Sequence, residues 1–296
     1  MRRHLNLSAI LFFVLASFAA TAHSAETSIL LTSDVQLRIA DAFMDEAEYY
    51  RAVTEYKKFL ILFPDLDQSG YVLFRIGMAY YKGEEYESSV RSFASLRQKR
   101  GETPYASQSY YYEGLSQWKL QRFETARTSF QALANDYPQS ELAPMALVAD
   151  SLVALDMEKI DDSIRQLERL HYRYPEYPKS GNTPEVIRML ERYKNLPAKS
   201  EALAGAMSAV LPGSGYFYAG HYSDGITAFL INGLSIAGTV LAFHQENYAV
   251  AGVVGGVGLP FYLGNIYGSA NAARKWNIGL KEELRNKISL TLDFQF

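Results

Sequence analysis

The chain has no cysteine among its 296 residues. That single absence excludes disulfides, thiolate metal sites, a cysteine nucleophile and a lipid-bearing N-terminal cysteine. An excess of positive charge is also missing: Lys+Arg number 29 against Asp+Glu 32, a formal net charge of −3. Nucleic-acid binders neutralise phosphates with Lys and Arg, so this balance argues against a nucleic-acid partner. Between residues 202 and 273 there is no Lys or Arg, and only Asp224 and Glu246 carry carboxylates. The nearest pairs of ligand-type residues in that apolar half are His221 with Asp224 and His244 with Glu246. Neither has the i, i+4 spacing that places two ligands on one helix face, and no third ligand accompanies them. No Ser-His-Asp arrangement and no dinucleotide fingerprint stands out. The sequence implies a binding device with no cofactor and no metal, not an enzyme, built from two halves of different character.

Arg2, Arg3 and His4 precede the apolar run Leu5 to Ala20, and Ala20-Thr21-Ala22 follows. A short basic region, a brief apolar core and an A-x-A site are the signature of a secretory signal peptide. Residues 1–25 are therefore an address, and the rest of the chain leaves the cytoplasm.

The middle of the chain repeats every 37 residues. Tyr49, Tyr86, Phe123 and Ile160 open the series; Ala52, Ser89, Ala126 and Ser163 follow three positions later. Tyr56, Phe93, Phe130 and Leu167 come at seven, and Phe59, Leu96, Leu133 and Leu170 at ten. Offsets of 0, 3, 7 and 10 share one helical face. Pro64, Gly101, Pro138 and Pro175 end each unit. A second small series, Ala40, Gly77, Gly114 and Ser151, marks close approach of a preceding helix. The pattern predicts helices near 33–46, 50–63, 69–82, 86–99, 105–120, 123–136, 142–157 and 160–173.

These columns resemble the tetratricopeptide repeat over residues 33–178, in four helix pairs; the fourth is least typical, with Asp150 where an apolar residue is usual. Leu62-Phe63-Pro64, Asp136-Tyr137-Pro138 and Arg173-Tyr174-Pro175 also resemble the periplasmic branch that includes BamD-like and Tol-Pal-associated proteins of bacterial envelopes. The resemblance implies a scaffold in envelope or membrane-protein assembly that binds a protein or peptide partner. Helix pairs cannot bury their apolar faces alone and stack into a solenoid. Tyr80, Tyr81, Tyr110, Tyr111 and Tyr112 fall on the first helices, which line the concave face in this family, and form the expected partner site. Thr183-Pro184-Glu185 starts a capping helix and linker over 183–198.

Residues 200–273 read as a membrane module. The uncharged stretches 226–243 and 248–267 suit two spans of a hydrocarbon core about 30 Å thick. Gly252, Gly256, Pro260, Gly264 and Gly268 recur every four residues, a stripe expected to pack helices in the membrane. The preceding Pro212-Gly213-Ser214-Gly215-Tyr216, with Gly220 and Gly225, resembles the start of small bacterial two-span modules. Its glycines imply tight turns at the membrane surface, with 202–220 interfacial or re-entrant. The fold class expected is all-α: a four-pair solenoid followed by a transmembrane helical hairpin. Residues 274–296 form a basic tail whose Ile288, Leu290, Leu292, Phe294 and Phe296 alternate, predicting a short terminal strand. A repeat domain on the periplasmic side and an inner-membrane anchor follow from this reading. The alternative is a transport or channel-associated component that uses the glycine-rich helices.

Overall fold

The computed structural model describes residues 31–64, 67–100 and 103–294; the signal segment expected over 1–25 lies outside them. Eight helices form four antiparallel pairs: α1 (Ser33–Asp45) with α2 (Tyr49–Leu62), α3 (Ser69–Lys82) with α4 (Tyr86–Arg100), α5 (Ala106–Lys119) with α6 (Phe123–Asp136), and α7 (Leu142–Asp156) with α8 (Ile160–Arg173). A 3-10 turn at Ser180–Asn182 leads into α9 (Thr183–Lys194). The apolar half holds α10 (Glu201–Val210), the short α11 (Ser214–Ala219), α12 (Tyr222–His244) and α13 (Tyr248–Thr291). Among the described residues every regular element is helical, and the paired helices stack as a solenoid.

Each pair is closed by the same turn. Ala47, Glu84, Gln121 and Glu158, again 37 apart, have φ between 55° and 61°. The following amide reaches back to the preceding helix, as in Glu48 N to Phe43 O at 2.8 Å and Arg122 N to Gln117 O at 2.9 Å. This bond satisfies a carbonyl that the helix end leaves unpaired. None of the four is glycine, so each turn holds a side chain in the left-handed region at a cost of about 1–2 kcal/mol.

Within a pair, the small residue of the first helix makes room for a ring of the second. A methyl group placed on Gly77 would come within 2.5 Å of Phe93, and one on Gly114 within 2.6 Å of Phe130. Both rings are fully buried. In the same layer Ser89 Oγ donates to Gly77 O, and the Ser151 and Ser163 hydroxyls share a hydrogen bond. Asp150 is fully buried too, but paired: Arg127 Nε lies at 2.7 Å and Gln131 Nε2 at 2.9 Å. That polar clamp replaces the apolar contact expected of the fourth unit.

In the apolar half α10 runs antiparallel to α13, and a column of polar side chains on α13 holds it. Asn277 accepts from Lys199 N and donates to Lys199 O; Ser269 Oγ donates to Ala204 O; Asn265 Nδ2 donates to Ser208 O and its Oδ1 accepts from Gly213 N at 2.9 Å. The tight turns expected at the Pro-Gly-Ser-Gly segment are present. Gly213 has φ 85° against the backbone of Gly225, and a methyl group on Gly215 would strike the carbonyl oxygen of Ala204. Helices α12 and α13 are both long and apolar enough to cross a membrane and are mostly exposed along their apolar stretches. They are joined at Glu246 (φ 56°) by the same left-handed turn as the repeats, closed by Asn247 N to Ala242 O.

The end of the chain departs from expectation. No terminal strand forms where residues 288–294 are described: α13 continues as one helix to Thr291, 44 residues and about 66 Å long. The alternating apolar positions contain a helical stripe, Leu284, Ile288 and Leu292, and the structure uses that period. Ile288 and Leu292 are fully buried in the core shared with α7, α8 and α9, whereas Leu290 is 80% exposed. Each of the two buried side chains contributes about 1.5–3 kcal/mol. The tail and the solenoid consequently lie on the same side of any bilayer that α12 and α13 cross.

Three outcomes are expected. Gly114→Ala forces a methyl group against Phe130 and lowers stability by about 1–3 kcal/mol in denaturant melts; Gly181→Ala, where the methyl group meets open space, leaves the melt unshifted. Gln121→Gly relieves the left-handed turn and raises stability by up to about 1 kcal/mol.

Candidate functional site

The first helices of the pairs line a groove of about 490 Å³. Met44 comes from α1, Phe74, Arg75, Met78 and Lys82 from α3, Gln108 and Tyr112 from α5, and Ser140, Glu141 and Leu142 from the start of α7. The groove arises because successive first helices present residues one helical turn apart to the inner face, as Phe74, Met78 and Lys82 do. Its apolar wall is backed by an aromatic ladder: Phe74 stacks on Tyr105 at 5.3 Å, and Tyr112 lies 6.4 Å from Phe74, 6.3 Å from Phe93 and 5.3 Å from Tyr81. Arg75 is fixed by Asp41 at 2.9 Å and by the Tyr56 hydroxyl at 2.8 Å. Lys82 is exposed at the end of α3. The groove thus joins an apolar floor to charged edges, with Arg75 and Lys82 on α3 and Glu141 beside α7, an arrangement of the kind that could take a peptide or helix by burial and orient it by charge.

Of the five tyrosines expected to form one site, only Tyr112 lines this groove. Tyr81 packs behind it, and burial pushes its hydroxyl pKa up to about 12. Tyr111 is buried against Phe130 at 6.0 Å. Tyr110 turns to the opposite face, where Arg97 stacks over its ring at 4.0 Å. Tyr80 points to α2 and accepts a hydrogen bond from Lys57 at 3.1 Å. Neighbours in sequence are 100° apart on a helix, so a tyrosine triplet cannot share a face. Phe74, Met78 and Met44 were missed; their only signal is the spacing of apolar residues on first helices.

The glycine stripe is likewise redistributed. Methyl groups on Gly252, Gly256 and Gly264 would meet nothing within 4 Å, whereas Gly268 lies against the Tyr216 hydroxyl. Helix α12 instead meets α13 at Gly255, facing Thr239, and Gly258, facing Ser235. Packing follows the face that α12 occupies, and that face is offset from the every-fourth-residue stripe.

A second feature lies under the chain's own tail. Trp118, at the end of α5, donates from Nε1 to Asp156 at 2.8 Å; Arg285 of α13 binds the same carboxylate at 2.5 Å, and Phe294 lies 5.6 Å from the Trp118 ring. Burial raises the pKa of Asp156, opposed by its Trp118 and Arg285 bonds. No group of three or more metal-ligand side chains occurs among the described residues; His221 and Asp224 form an exposed pair at 3.2 Å.

Residues 71–102 and 108–140 match the tetratricopeptide repeat family. These stretches fold mainly as α3–α4 and α5–α6, so the second and third pairs carry the sequence pattern of that repeat. No curated protein matches the chain. One solved structure with similarity is described as the Rap conjugation gene regulator of the plasmid pLS20 in complex with the Phr* peptide. It shares 12% identity over 99% of this chain and 89% of that chain, with a TM-score of 0.38, too low to define a common fold. By its repeats and architecture the chain is a helical-repeat protein.

The ion pair behind Tyr110 yields a pH prediction. Burial holds Glu113 above the usual carboxylate range, opposed by the Arg97 guanidinium paired with it. In Arg97→Met the buried carboxylate loses its counter-ion, at a cost of about 3–5 kcal/mol at neutral pH. Its folded pKa exceeds its unfolded one, so the penalty is full above the folded pKa and fades as pH falls through it. Thermal melts of variant and wild type converge on acidification; a gap independent of pH contradicts this account.

Proposed function

We propose that the protein is a membrane-anchored scaffold of the bacterial cell envelope whose solenoid holds a protein or peptide partner in the groove between Met44 and Leu142, in service of envelope or membrane-protein assembly. The observation that carries the reading is the groove itself: an open, aromatic-backed channel formed by the first helices, which the chain's own tail leaves uncovered while packing elsewhere on the same solenoid. The tetratricopeptide pattern in the two central pairs supports it.

The anchor is the α12–α13 hairpin in the inner membrane, with the solenoid on the periplasmic side, as the N-terminal address implies. On this topology the basic tail sits outside, against the usual bias of Lys and Arg. Two of its cations have local partners: Lys281 pairs with Glu158 at 2.6 Å and Arg285 with Asp156.

The test is co-purification of the full chain from native membranes in mild detergent. A specific partner is recovered with the wild type, and Met78→Glu with Lys82→Glu lowers its recovery by about 10-fold or more, as loss of a central contact does. Recovery unaffected by these changes rejects the groove. A periplasm-active reporter fused after Phe296 is active on this topology; a silent reporter there with an active cytoplasmic one overturns the placement.

A further inference from the structure

The segment that follows Gly279 is held by the solenoid, but the connection upstream of it is of a different kind. At residue 277, α13 is locked to the linker: Asn277 accepts from Lys199 N at 2.8 Å and donates to Lys199 O at 2.9 Å. Two residues on, within the unbroken helix, stands Gly279, the residue that holds helical geometry least. A methyl group there would meet nothing within 4 Å, so no packing demands a glycine. Beyond it the stripe Leu284, Ile288 and Leu292 seats on the solenoid core, Arg285 reaches Asp156, and Asn182 Nδ2 donates to Thr291 O at 2.9 Å. The charged links sit at the rim: Arg285 is 51% exposed, Lys281 44% and Glu158 63%. Such pairs are weakened by salt. A fixed point, a weak point and a docked amphipathic face thus follow one another along a single helix.

We propose that the Trp118–Asp156 surface is a second helix-docking site of the solenoid, masked by the chain's own residues 280–294 acting as a clasp hinged at Gly279. Its partner is an amphipathic helix with the tail's pattern: apolar residues at i, i+4 and i+8, an arginine one position after the first to meet Asp156, and an aromatic ring at i+10 to cover Trp118. The clasp excludes that partner when closed and admits it when open. This site is separate from the groove, and its failure leaves the groove reading untouched.

The absence of native cysteine makes the test direct. Full-length Asn182→Cys/Thr291→Cys protein in detergent is bridged with a short, reducible thiol cross-linker, and a fluorescent peptide of residues 278–294 serves as the probe. Bridging within one chain is expected, with peptide binding at least 10-fold weaker in the bridged form than after reduction. Ile288→Asp in the tail strengthens peptide binding, Asp156→Asn added to it weakens binding again by 10-fold or more, and Gly279→Ala lowers the binding of the otherwise native chain. Circular dichroism checks that each variant keeps its helices. Failure to bridge shows that the tail is not docked and overturns the proposal. Equal binding to bridged and reduced protein places the peptide elsewhere. A helical Ile288→Asp protein that takes up no peptide shows the surface to be fold packing alone. Either of these last results also overturns it.

Discussion

A stack of helix pairs leaves an apolar face uncovered at each end, and covering the last one shapes the rest of this molecule. Helix α9 packs on α8, and the end of α13 then adds Ile288 and Leu292 to the core shared by α7, α8 and α9. Because that cover comes from the far end of the chain, the polypeptide must enter the apolar module and return. The hairpin α12–α13 achieves this by running out and back, with α10 lying along α13. The length of α13 follows from the same need: one helix serves as the returning arm of the hairpin and as the cover of the solenoid's end.

What could be read from the sequence was what repeats in phase. Small and large residues recurring every 37 positions predict the eight solenoid helices to within about a residue of where they lie, because burial imposes the same pattern on each unit. The turns between them recur as strictly, yet none of Ala47, Glu84, Gln121 and Glu158 is the glycine or asparagine that usually marks such a turn. Their left-handed backbone is imposed by closing the helix end, with no side chain to announce it. The tail shows the opposite failure: Ile288, Leu290 and Leu292 satisfy an alternating pattern and contain a helical one, and only the partner surface decides between them. Leu290, left exposed, is the residue that marks the choice.

The candidate site was legible at the level of faces and not of individual residues. Placing the binding surface on first helices is consistent with the groove; choosing tyrosines by their abundance is not, since a run of adjacent tyrosines is distributed around the helix by its own geometry. Tyr111 goes to the core and Tyr110 to the far face, which leaves Tyr112 with Phe74 and Met78 from the neighbouring unit. The glycines of the apolar half divide in the same way. Gly213 and Gly215 are required by backbone contact, Gly255 and Gly258 by side chains of α12, and Gly252, Gly256 and Gly264 by nothing within 4 Å among the described residues. Asn265, which ties α13 to the Pro-Gly-Ser-Gly turn, carries no pattern at all.

Charge placement joins the two halves. Asp150, anomalous for its position in the repeat, is held by Arg127, which also binds Asp162 of α8 at 2.7 Å, so one guanidinium ties three consecutive helices. Asp156, further along α7, meets Trp118 from the preceding unit and Arg285 from the tail. The fourth pair thus places two carboxylates on α7, and one of them, Asp156, meets the end of α13. An apolar residue at 156 would remove the acceptor shared by Trp118 Nε1 and Arg285. The carboxylate distinguishes the tail's register from a slide by one helical turn, which burial of Leu284, Ile288 and Leu292 alone would tolerate because that stripe repeats every four residues.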